Sequence, residues 1–388
     1  MNFLFWSFTS VLIYTLLGYP ILIGALTRLF SRRVTLRDSE VPPLRVSVVL
    51  VVFNAKHQIR GRLENLMVQD YRVDEIVVVC DGCNDGTPEE VTTFCDPRIK
   101  LISRPVRMGK SGCLNYGIQA ATGEIVVLTD VRQEFRADAI SRLVENFSDP
   151  QVGAVSGSLE IARAEDSISK GIGSYWSLEK ELRRSEAVLD SCIGCTGAIY
   201  AIRRSLFTPI PPDTLLDDVV IPMQIALSGY RVAFDPRAIA FDPQPLSPER
   251  ESVRKQRTLA GNFQLLFRYP GWLLPWRDRL WLQLISHKYL RLFAPLFLII
   301  ILCANCFLSG ETFYRVLLIL QTIFYFFSIL GLFPLFRRIR LFSFASSFLF
   351  LNVMVVRGLG YYLFGKGDGI WENAPDARHK KKNPALGS

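Results

Sequence analysis

Apolar residues are concentrated at the two ends of the chain, and charged residues fill the middle. Residues 3–27 form one uncharged apolar run, and residues 292–308, 316–336 and 341–364 form three more. Each run is near the roughly 20 residues that an α-helix needs to cross the hydrocarbon core of a bilayer. The pattern therefore predicts membrane helices at both ends of the chain.

The sequence between the runs has the mixed composition of a water-facing domain. Just before the second run, three Trp and many Leu are mixed with Arg and Lys, which is typical of an amphipathic helix at a membrane interface. The expected organisation is an N-terminal transmembrane helix (1–30), a water-facing domain (40–268), an amphipathic interfacial helix (269–291), a C-terminal transmembrane region of two or three helices (292–364) and a basic tail (365–388).

Basic clusters predict the orientation of the chain in the membrane. RLFSRR follows the first run and RRIR separates the third from the fourth, so both are expected in the cytoplasm together with the large domain. The first run has no basic n-region and no clear cleavage site, which favours a retained helix over a signal peptide. The fourth run contains Arg357 and precedes RHKKKN. It either crosses the membrane or lies partly in the interface, and we slightly favour the interface because it keeps the basic tail inside.

The central domain alternates buried strands with helices. RVSVVLVVF (45–53), EIVVVCDG (75–82) and EIVVLTD (124–130) are nearly continuous apolar runs, each followed by a helical pattern. This pattern predicts an α/β fold with a mostly parallel sheet and helices on both faces. Ligands of such sheets bind at the carboxyl ends of the strands. Asp81 and Asp130 stand at two such ends, so we expect them in one crevice.

The composition of the chain limits the kinds of partner it is expected to bind, but it does not decide the role of the cysteines. The net charge of +9 with 49% apolar residues fits a membrane-facing surface and anionic substrates, and we expect no nucleic-acid partner. Six of the eight cysteines form three CxxC pairs: Cys80/Cys83, Cys192/Cys195 and Cys303/Cys306. A zinc site or a redox pair is one interpretation of the first two pairs, and small buried thiols in a reducing cytosol are the default.

Further charged residues extend the crevice. Lys110 opens a helix, Asp217 and Asp218 open another, and a basic cluster precedes the membrane region. Carboxylates, a divalent cation and basic residues together suit a sugar–nucleotide diphosphate, because the cations would stabilise a departing diphosphate. A free carboxylate would deprotonate an acceptor hydroxyl. A plain helix N-cap is the alternative for the acidic pair.

An ordered series of motifs connects these residues to a known family. The motifs are DGCNDGT, GKSGCLN, TDV, GAIYAIRR, DTLLDDVVIP, RKQRTLAGNFQ and SHKYLR. In this order they resemble the membrane-bound bacterial glycosyltransferases of family 2, an inverting group whose relatives include cellulose, chitin and hyaluronan synthases. The resemblance covers most of the chain and implies a nucleotide-binding sheet of glycosyltransferase A type.

The resemblance also implies a role for each matching residue. Asp81 would contact the nucleotide base, Lys110 the nucleotide or its diphosphate, and Asp130 the metal ion, Mg²⁺ or Mn²⁺. Asp218 would be the catalytic base, with Asp217 supporting it. Gly197 and Ala198 would shape the acceptor site, and Arg254 and Arg257 would meet the diphosphate.

The implied function is inverting, metal-dependent transfer of a sugar from a nucleotide-sugar, expected to be a UDP-sugar, to a membrane-associated glycan or a lipid-linked acceptor. It would serve cell-surface or extracellular polysaccharide synthesis at the bacterial inner membrane, with possible export or polymerisation partners. A processive polysaccharide synthase is the first alternative. A catalytically inactive scaffold or export partner is the second.

The chain departs from the family pattern at two positions. Processive polymerases carry QxxRW on the basic helix; here Arg254 stands at the Gln position and Thr258 at the Trp position. Arg132 replaces the second acid of the DxD motif, which leaves Asp130 as the sole carboxylate of that motif. Arg132 either supplies positive charge near the phosphates or pairs with Glu134 or another surface acid.

Overall fold

The computed structural model describes residues 1–31, 43–161, 167–243, 248–337 and 339–365, without the side chains of 167–176, 248–251, 334 and 337. The basic tail and the segment 32–42 lie outside the described residues. Within them, eight strands form one sheet in the order β3-β2-β1-β4-β7-β6-β8-β5. The strands are β1 (Val46–Val52), β2 (Glu75–Asp81), β3 (Ile99–Arg104), β4 (Ile125–Thr129), β5 (Glu134–Phe135), β6 (Val152–Ile161), β7 (Ile199–Arg203) and β8 (Arg231–Asp242).

Helices cover both faces of this sheet and form the membrane region. In chain order they are α1 (Asn2–Leu29), α2 (Lys56–Met67), α3 (Thr87–Thr92), α4 (Lys110–Ala120), α5 (Ala139–Glu145), α6 (Ser167–Leu189), α7 (Asp217–Leu227), α8 (Pro248–Arg268), α9 (Trp281–Leu308), α10 (Thr312–Leu330), α11 (Pro334–Arg337) and α12 (Arg340–Phe364). Helix α1 contains a π-helical segment at Tyr14–Gly18 and α9 another at Leu284–Tyr289. Short 3₁₀ turns lie at Asn146–Ser148, Arg204–Leu206 and Pro270–Leu273.

The sheet is mostly parallel, as predicted. Strand β1 pairs in parallel with β2 and β4, β2 with β3, and β6 with β8, whereas β7 runs antiparallel to β4 and β6. Side chains alternate across β1: Val48 and Leu50 face the core beneath α2 and α5, and Val49 faces the core beneath α4 and α7. Burial on both faces explains why the strands read as continuous apolar runs.

The topology brings several loops to one edge of the sheet. Strand β2 ends at Asp81, and Asp130 follows the last residue of β4. Because β7 is antiparallel to β4, its first residue, Ile199, pairs with Thr129 at the carboxyl end of β4. The residues just before β7 therefore lie beside Asp130.

Among the residues that the structure describes, four helices are long and apolar enough to cross a membrane: α1, α9, α10 and α12. The expected interfacial helix over 269–291 is wrong as a single element. A 3₁₀ turn at Pro270–Leu273 is followed by a break, and a new helix begins at Trp281. Leu274 is extended (φ −98°, ψ 116°), the conformation favoured before a proline, and Pro275 cannot donate a helical hydrogen bond.

The tryptophans of this segment do not form one exposed row. Trp276 is exposed, but Trp272 is buried and stacks on Tyr269. The indole N–H of Trp281 donates to the carbonyl of Leu273. Two of the three rings therefore fasten the start of α9 to the domain.

The last apolar helix contacts both the membrane region and the sheet domain. Near its start, Phe342 packs edge-on against Phe327 of α10. Further along, a Cβ at Gly358 would lie 2.6 Å from Leu259 of α8, so the two backbones approach closely there. The later part of α12 therefore packs on α8, and both interpretations of the fourth run stay predictions.

Candidate active site

One lysine lies between two carboxylates at the carboxyl edge of the sheet. The ammonium Nζ of Lys110 lies 2.9 Å from Asp130 Oδ1 and 3.5 Å from Asp217 Oδ2. Burial disfavours the charged ammonium, but the two carboxylates outweigh it and raise the pKa of Lys110. The structure thus unites three predicted residues from three different elements.

The neighbouring acid, Asp218, differs in its contacts. Across the residues that the structure describes, its carboxylate accepts no hydrogen bond, whereas Asp217 is contacted by Lys110 and by the hydroxyl of Tyr200. Burial and the adjacent charge of Asp217 raise the pKa of Asp218 to about 6. A carboxylate with free lone pairs and a raised pKa is suited to accept a proton near neutral pH.

The backbone around Asp218 is fixed by a proline one turn later. In an α-helix the N–H of residue 222 would bond to the carbonyl of residue 218. Pro222 has no N–H, so that carbonyl accepts a hydrogen bond from the N–H of Cys195 at 2.6 Å. Gly194 allows this approach because it adopts φ +77°, and a Cβ there would lie 3.0 Å from the same carbonyl oxygen.

Gly197 and Ala198 also reach the acidic cluster. A Cβ at Gly197 would lie 3.0 Å from Asp218 Oδ2, so the absence of a side chain leaves the face of this carboxylate open. The carbonyl of Ala198 accepts a hydrogen bond from the hydroxyl of Thr129, the residue before Asp130. Gly197 therefore lies against the Asp218 carboxylate and Ala198 contacts the end of β4, and their role in an acceptor site stays a prediction.

Asp81 is buried and already hydrogen-bonded. Its carboxylate accepts the N–H groups of Met108 at 2.6 Å and Gly109 at 3.1 Å, just before α4. Asp81 thus fixes the loop that presents Lys110. The contact of Asp81 with a nucleotide base stays a prediction. The N–H groups of Met108 and Gly109 donate to Asp81, so they do not face a phosphate.

Arg254 and Arg257 lie half-buried on α8. This helix meets the site through its later turns: a Cβ at Gly261 would touch Leu216, and the side chain of Gln264 accepts the N–H of Leu215. These contacts support the segment that leads into Asp217. Placement of the two arginines at a diphosphate stays a prediction.

Arg132 forms an ion pair with an acidic residue, and such pairing was one of the two roles predicted for it. Its Nη2 donates to Asp242 Oδ2 at 2.7 Å, and Asp242 is buried at the end of β8. The pairing was expected with Glu134 or another surface acid, but the partner is this distant, buried residue.

Asp130 has the donor chemistry that Mg²⁺ and Mn²⁺ prefer, a hard carboxylate oxygen. Within the described ranges, no group of three or more His, Cys, Asp or Glu side chains is placed to share a metal ion. Asp130 therefore fits a cation whose other positions are filled by substrate oxygens and water. All eight cysteines are free thiols, and Cys80, Cys192 and Cys195 are buried.

The structure adds a supporting residue that the sequence did not single out. Arg62 of α2 is 2% exposed, and its Nη2 donates to the hydroxyl of Thr129 at 2.7 Å. Thr129 in turn donates to Ala198, so one chain of hydrogen bonds joins α2 to the end of β4 and the loop before β7. Nothing in the local sequence indicates that Arg62 is buried, because it is one of several charged residues in a polar helix.

Comparison with known proteins agrees with this geometry. Residues 47–209 match the model of glycosyl transferase family 2. The chain carries a family 2 glycosyltransferase domain. The match includes Asp81, Lys110, Asp130 and the loop with Gly197, and it ends before Asp217.

Two similar curated proteins are bacterial polysaccharide synthases. Poly-beta-1,6-N-acetyl-D-glucosamine synthase of Staphylococcus aureus (strain COL) is 25% identical over 272 residues, which span 65% of this chain and 66% of the relative. The protein of the same name from Staphylococcus epidermidis is 24% identical over 274 residues, 69% of this chain and 66% of the relative. The aligned region thus spans slightly less than two thirds of these relatives.

A solved structure shares the fold over nearly the whole chain. The mannosyltransferase PcManGT from Pyrobaculum calidifontis, in complex with GDP-Man and Mn²⁺, superposes with a TM-score of 0.70 at 22% identity. The superposition covers 94% of this chain and 99% of that one. The glycosyltransferase A type predicted for the domain is therefore confirmed.

Proposed function

We propose that this protein is an inverting glycosyltransferase that moves a sugar from a nucleotide-sugar to a membrane-associated glycan or a lipid-linked acceptor. The observation that carries the proposal is the asymmetry of the acidic pair. Asp217 is engaged by Lys110, whereas the Asp218 carboxylate beside Gly197 accepts no hydrogen bond from the described part of the chain and has a pKa raised to about 6. This arrangement suits one positioned base beside a cationic leaving-group site.

In the proposed mechanism, the acceptor hydroxyl enters over Gly197 and donates its proton to Asp218. The acceptor oxygen attacks the anomeric carbon from the face opposite the nucleotide diphosphate, so the anomeric configuration inverts. Lys110 neutralises negative charge on the departing diphosphate. Asp130 would hold Mg²⁺ or Mn²⁺, which supplies further charge neutralisation there. Arg254 and Arg257 are the proposed additional cations.

A UDP-sugar is the proposed donor. An N-acetylhexosamine is the first sugar to test, because the similar staphylococcal synthases are named for N-acetyl-D-glucosamine. The structural neighbour binds GDP-Man, so GDP-sugars belong in the same screen. The proposed setting is the bacterial inner membrane with the domain in the cytoplasm, in cell-surface or extracellular polysaccharide synthesis. The four apolar helices support a bilayer partner.

A processive polysaccharide synthase is the second candidate, favoured by the names of the curated relatives. Thr258 at the Trp position of QxxRW favours addition of one or a few sugars, since an aromatic platform for a growing glycan is missing there. Product length on a radiolabelled donor separates the two. An inactive scaffold or export partner is disfavoured by the intact Asp217–Asp218 pair.

The test uses full-length protein in membranes or nanodiscs with a panel of radiolabelled UDP- and GDP-sugars. One donor should be consumed with release of its nucleoside diphosphate, and Asp218→Asn should lower transfer by roughly 10²- to 10⁴-fold. Nucleotide binding should be retained in this variant. Wild-type transfer by Asp218→Asn with nucleotide binding intact would contradict the base assignment, and no turnover of any donor would favour the inactive scaffold.

A further inference from the structure

A buried cluster of charged residues lies where the membrane helices meet the sheet domain. Helix α6 presents Glu179, Arg183 and Glu186 on one face, since residues spaced by three and four positions are neighbours on a helix. The side chain of Glu186 is fully buried, and those of Glu179 and Arg183 are 12% and 19% exposed. None of these residues takes part in the mechanism above.

Helix α9 contributes a histidine held from both sides. His287 Nδ1 lies 2.8 Å from Glu186 Oε1, and His287 Nε2 lies 2.9 Å from Glu179 Oε1. Ionised carboxylates only accept hydrogen bonds, so both contacts form together when both ring nitrogens carry protons. Burial alone would raise the pKa of Glu179, but His287, Arg291 and Arg183 hold it well below its usual range.

The N-terminal helix joins the same cluster. The hydroxyl of Tyr19 donates to Glu186 at 2.7 Å, and the hydroxyl of Tyr14 lies 2.8 Å from that of Ser286. Tyr14 belongs to the π-helical segment of α1, and Ser286 and His287 belong to that of α9. Single π-helical turns within α-helices are frequent at functional sites. Both membrane helices thus depart from α-helical geometry where they meet α6.

On its other side the cluster reaches the catalytic loop. Arg183 Nη1 donates to the hydroxyl of Thr196 at 3.0 Å, and the Arg183 Nε lies 3.7 Å from Glu179 Oε1. Thr196 stands between Cys195, whose N–H bonds to the Asp218 carbonyl, and Gly197, which lies over the Asp218 carboxylate. An unbroken series of contacts therefore runs from His287 to the loop against Asp218.

We propose that His287, Glu179 and Arg183 form a positioning relay that couples docking of α1 and α9 on α6 to the geometry of the loop 194–197 at the catalytic base. The proposal rests on the proposed role of Asp218. Through the relay, the loop adopts its productive position when the membrane helices are seated. The three residues act through Thr196 and do not touch substrate.

A stabilising role alone would not call for these groups. Burying several charges costs free energy, and replacing a buried ionic cluster with well-packed apolar residues is often neutral or stabilising. What hydrogen-bonded charges add is directional contact. Here the series of directional contacts ends with the hydrogen bond from Arg183 to the hydroxyl of Thr196.

The test begins with a matched pair at Thr196. Thr196→Val keeps the shape and removes the hydroxyl, whereas Thr196→Ser keeps it. Hydrogen–deuterium exchange of full-length protein in nanodiscs should show the amides of residues 194–197 exchanging about tenfold faster in Thr196→Val and in Glu179→Gln, with Thr196→Ser near wild type. Arg184→Gln, at an exposed position of the same helix, is the control and should change nothing.

Transfer kinetics give the second readout. With the donor found by the screen, Thr196→Val and Glu179→Gln should lower kcat roughly tenfold or more, because small misplacement of catalytic groups is costly, while binding of UDP with Mn²⁺ is unchanged. The double variant should lose no more than either single one, since both break the same relay. Unchanged loop exchange in Thr196→Val, or additive losses in the double variant, would overturn the relay.

The two proposals fail in different ways. If the relay exists but the proposed function is wrong, loop exchange still depends on Glu179 and Thr196 while the wild type transfers no sugar. If only the relay is wrong, the wild type transfers sugar and loop exchange is the same in all variants. Should Glu179→Gln fail to fold, Glu179→Asp takes its place. The Thr196 pair alone would not separate the contact with Arg183 from the hydrogen bond that Ser156 donates to the same hydroxyl at 3.3 Å.

Discussion

The N–H of Cys195 donates to the carbonyl of Asp218 at 2.6 Å, so the loop before β7 is hydrogen-bonded to the residue proposed as the base. This bond takes the place of the helical one that Pro222 cannot make. The proline inside α7 is therefore a positioning feature and not a defect of the helix. The acidic pair, the proline one turn later and the glycine-rich loop therefore meet at one hydrogen bond.

Gly197→Ala should lower the turnover number with little effect on nucleotide binding. The new Cβ would lie 3.0 Å from Asp218 Oδ2, so the carboxylate or the loop must shift by a few tenths of an ångström. We expect kcat to fall by roughly 10- to 100-fold. Steady-state kinetics and UDP titration would measure the two effects.

Gly61→Ala is the matched control for this substitution. Gly61 lies in α2 with nothing within 4 Å of its Cβ position, so alanine should leave kcat unchanged. It should also stabilise the helix by about 0.5–1 kcal/mol. Equal kcat for Gly197→Ala and the wild type would remove Gly197 from the acceptor path.

The pH dependence of the reaction should report Asp218. The base must be ionised to accept a proton, and its pKa is raised to about 6, so kcat/KM should be half-maximal on the acid side near pH 6 and fall further below it. An ordinary aspartate would keep its charge well below that pH.

Asp217→Asn supplies the control for the pH profile. Removing the adjacent negative charge eases ionisation of Asp218, so the acid limb should move to lower pH even if the maximal rate also falls. If the acid limb of the pH profile does not move in Asp217→Asn, a group other than Asp218 controls it.

Much of the fold could be predicted because the signals are local. Buried strands read as apolar runs, and Asp81 and Asp130 lie at strand ends as expected. The antiparallel insertion of β7 between β4 and β6 could not be read locally, since strand order depends on long-range pairing. Strand β8 was not predicted either, because Pro236 and charged residues interrupt its apolar pattern.

The sequence predicted which residues form the candidate site, but it did not predict the contacts among them. The sequence placed Lys110, Asp130 and Asp217 in one crevice, but not the direct bonds of Lys110 to both acids. Arg132 illustrates the limit: its partner Asp242 is 110 residues away and was not among the expected partners, because only the tertiary structure brings the two together. Arg62 carried no sequence signal of burial, because arginines are mostly exposed.

Metal binding should depend on nucleotide. Asp130 already contacts the Lys110 ammonium at 2.9 Å, so a divalent cation would share this carboxylate with a competing positive charge and finds no second carboxylate from its own motif. We expect weak Mn²⁺ binding to the free protein and an affinity higher by about tenfold or more when UDP is bound, a coupling of ordinary size. Isothermal titration calorimetry of Mn²⁺ with and without UDP measures both. Asp130→Asn should abolish the gain, and tight Mn²⁺ binding without nucleotide would contradict the single-carboxylate site.

Arg132→Gln separates the two interpretations of this residue. The guanidinium donates to Asp242, whose side chain is 4% exposed, so its loss removes a charge-assisted hydrogen bond from a buried carboxylate. We expect a lower melting temperature, equivalent to about 1–3 kcal/mol, and an unchanged KM for the donor. Arg72→Gln is the control: Arg72 is 86% exposed beside Asp74, and such surface pairs contribute about 0–1 kcal/mol. If Arg132→Gln instead raised the donor KM and left the melting temperature unchanged, Arg132 would serve the phosphates and its bond to Asp242 would be incidental.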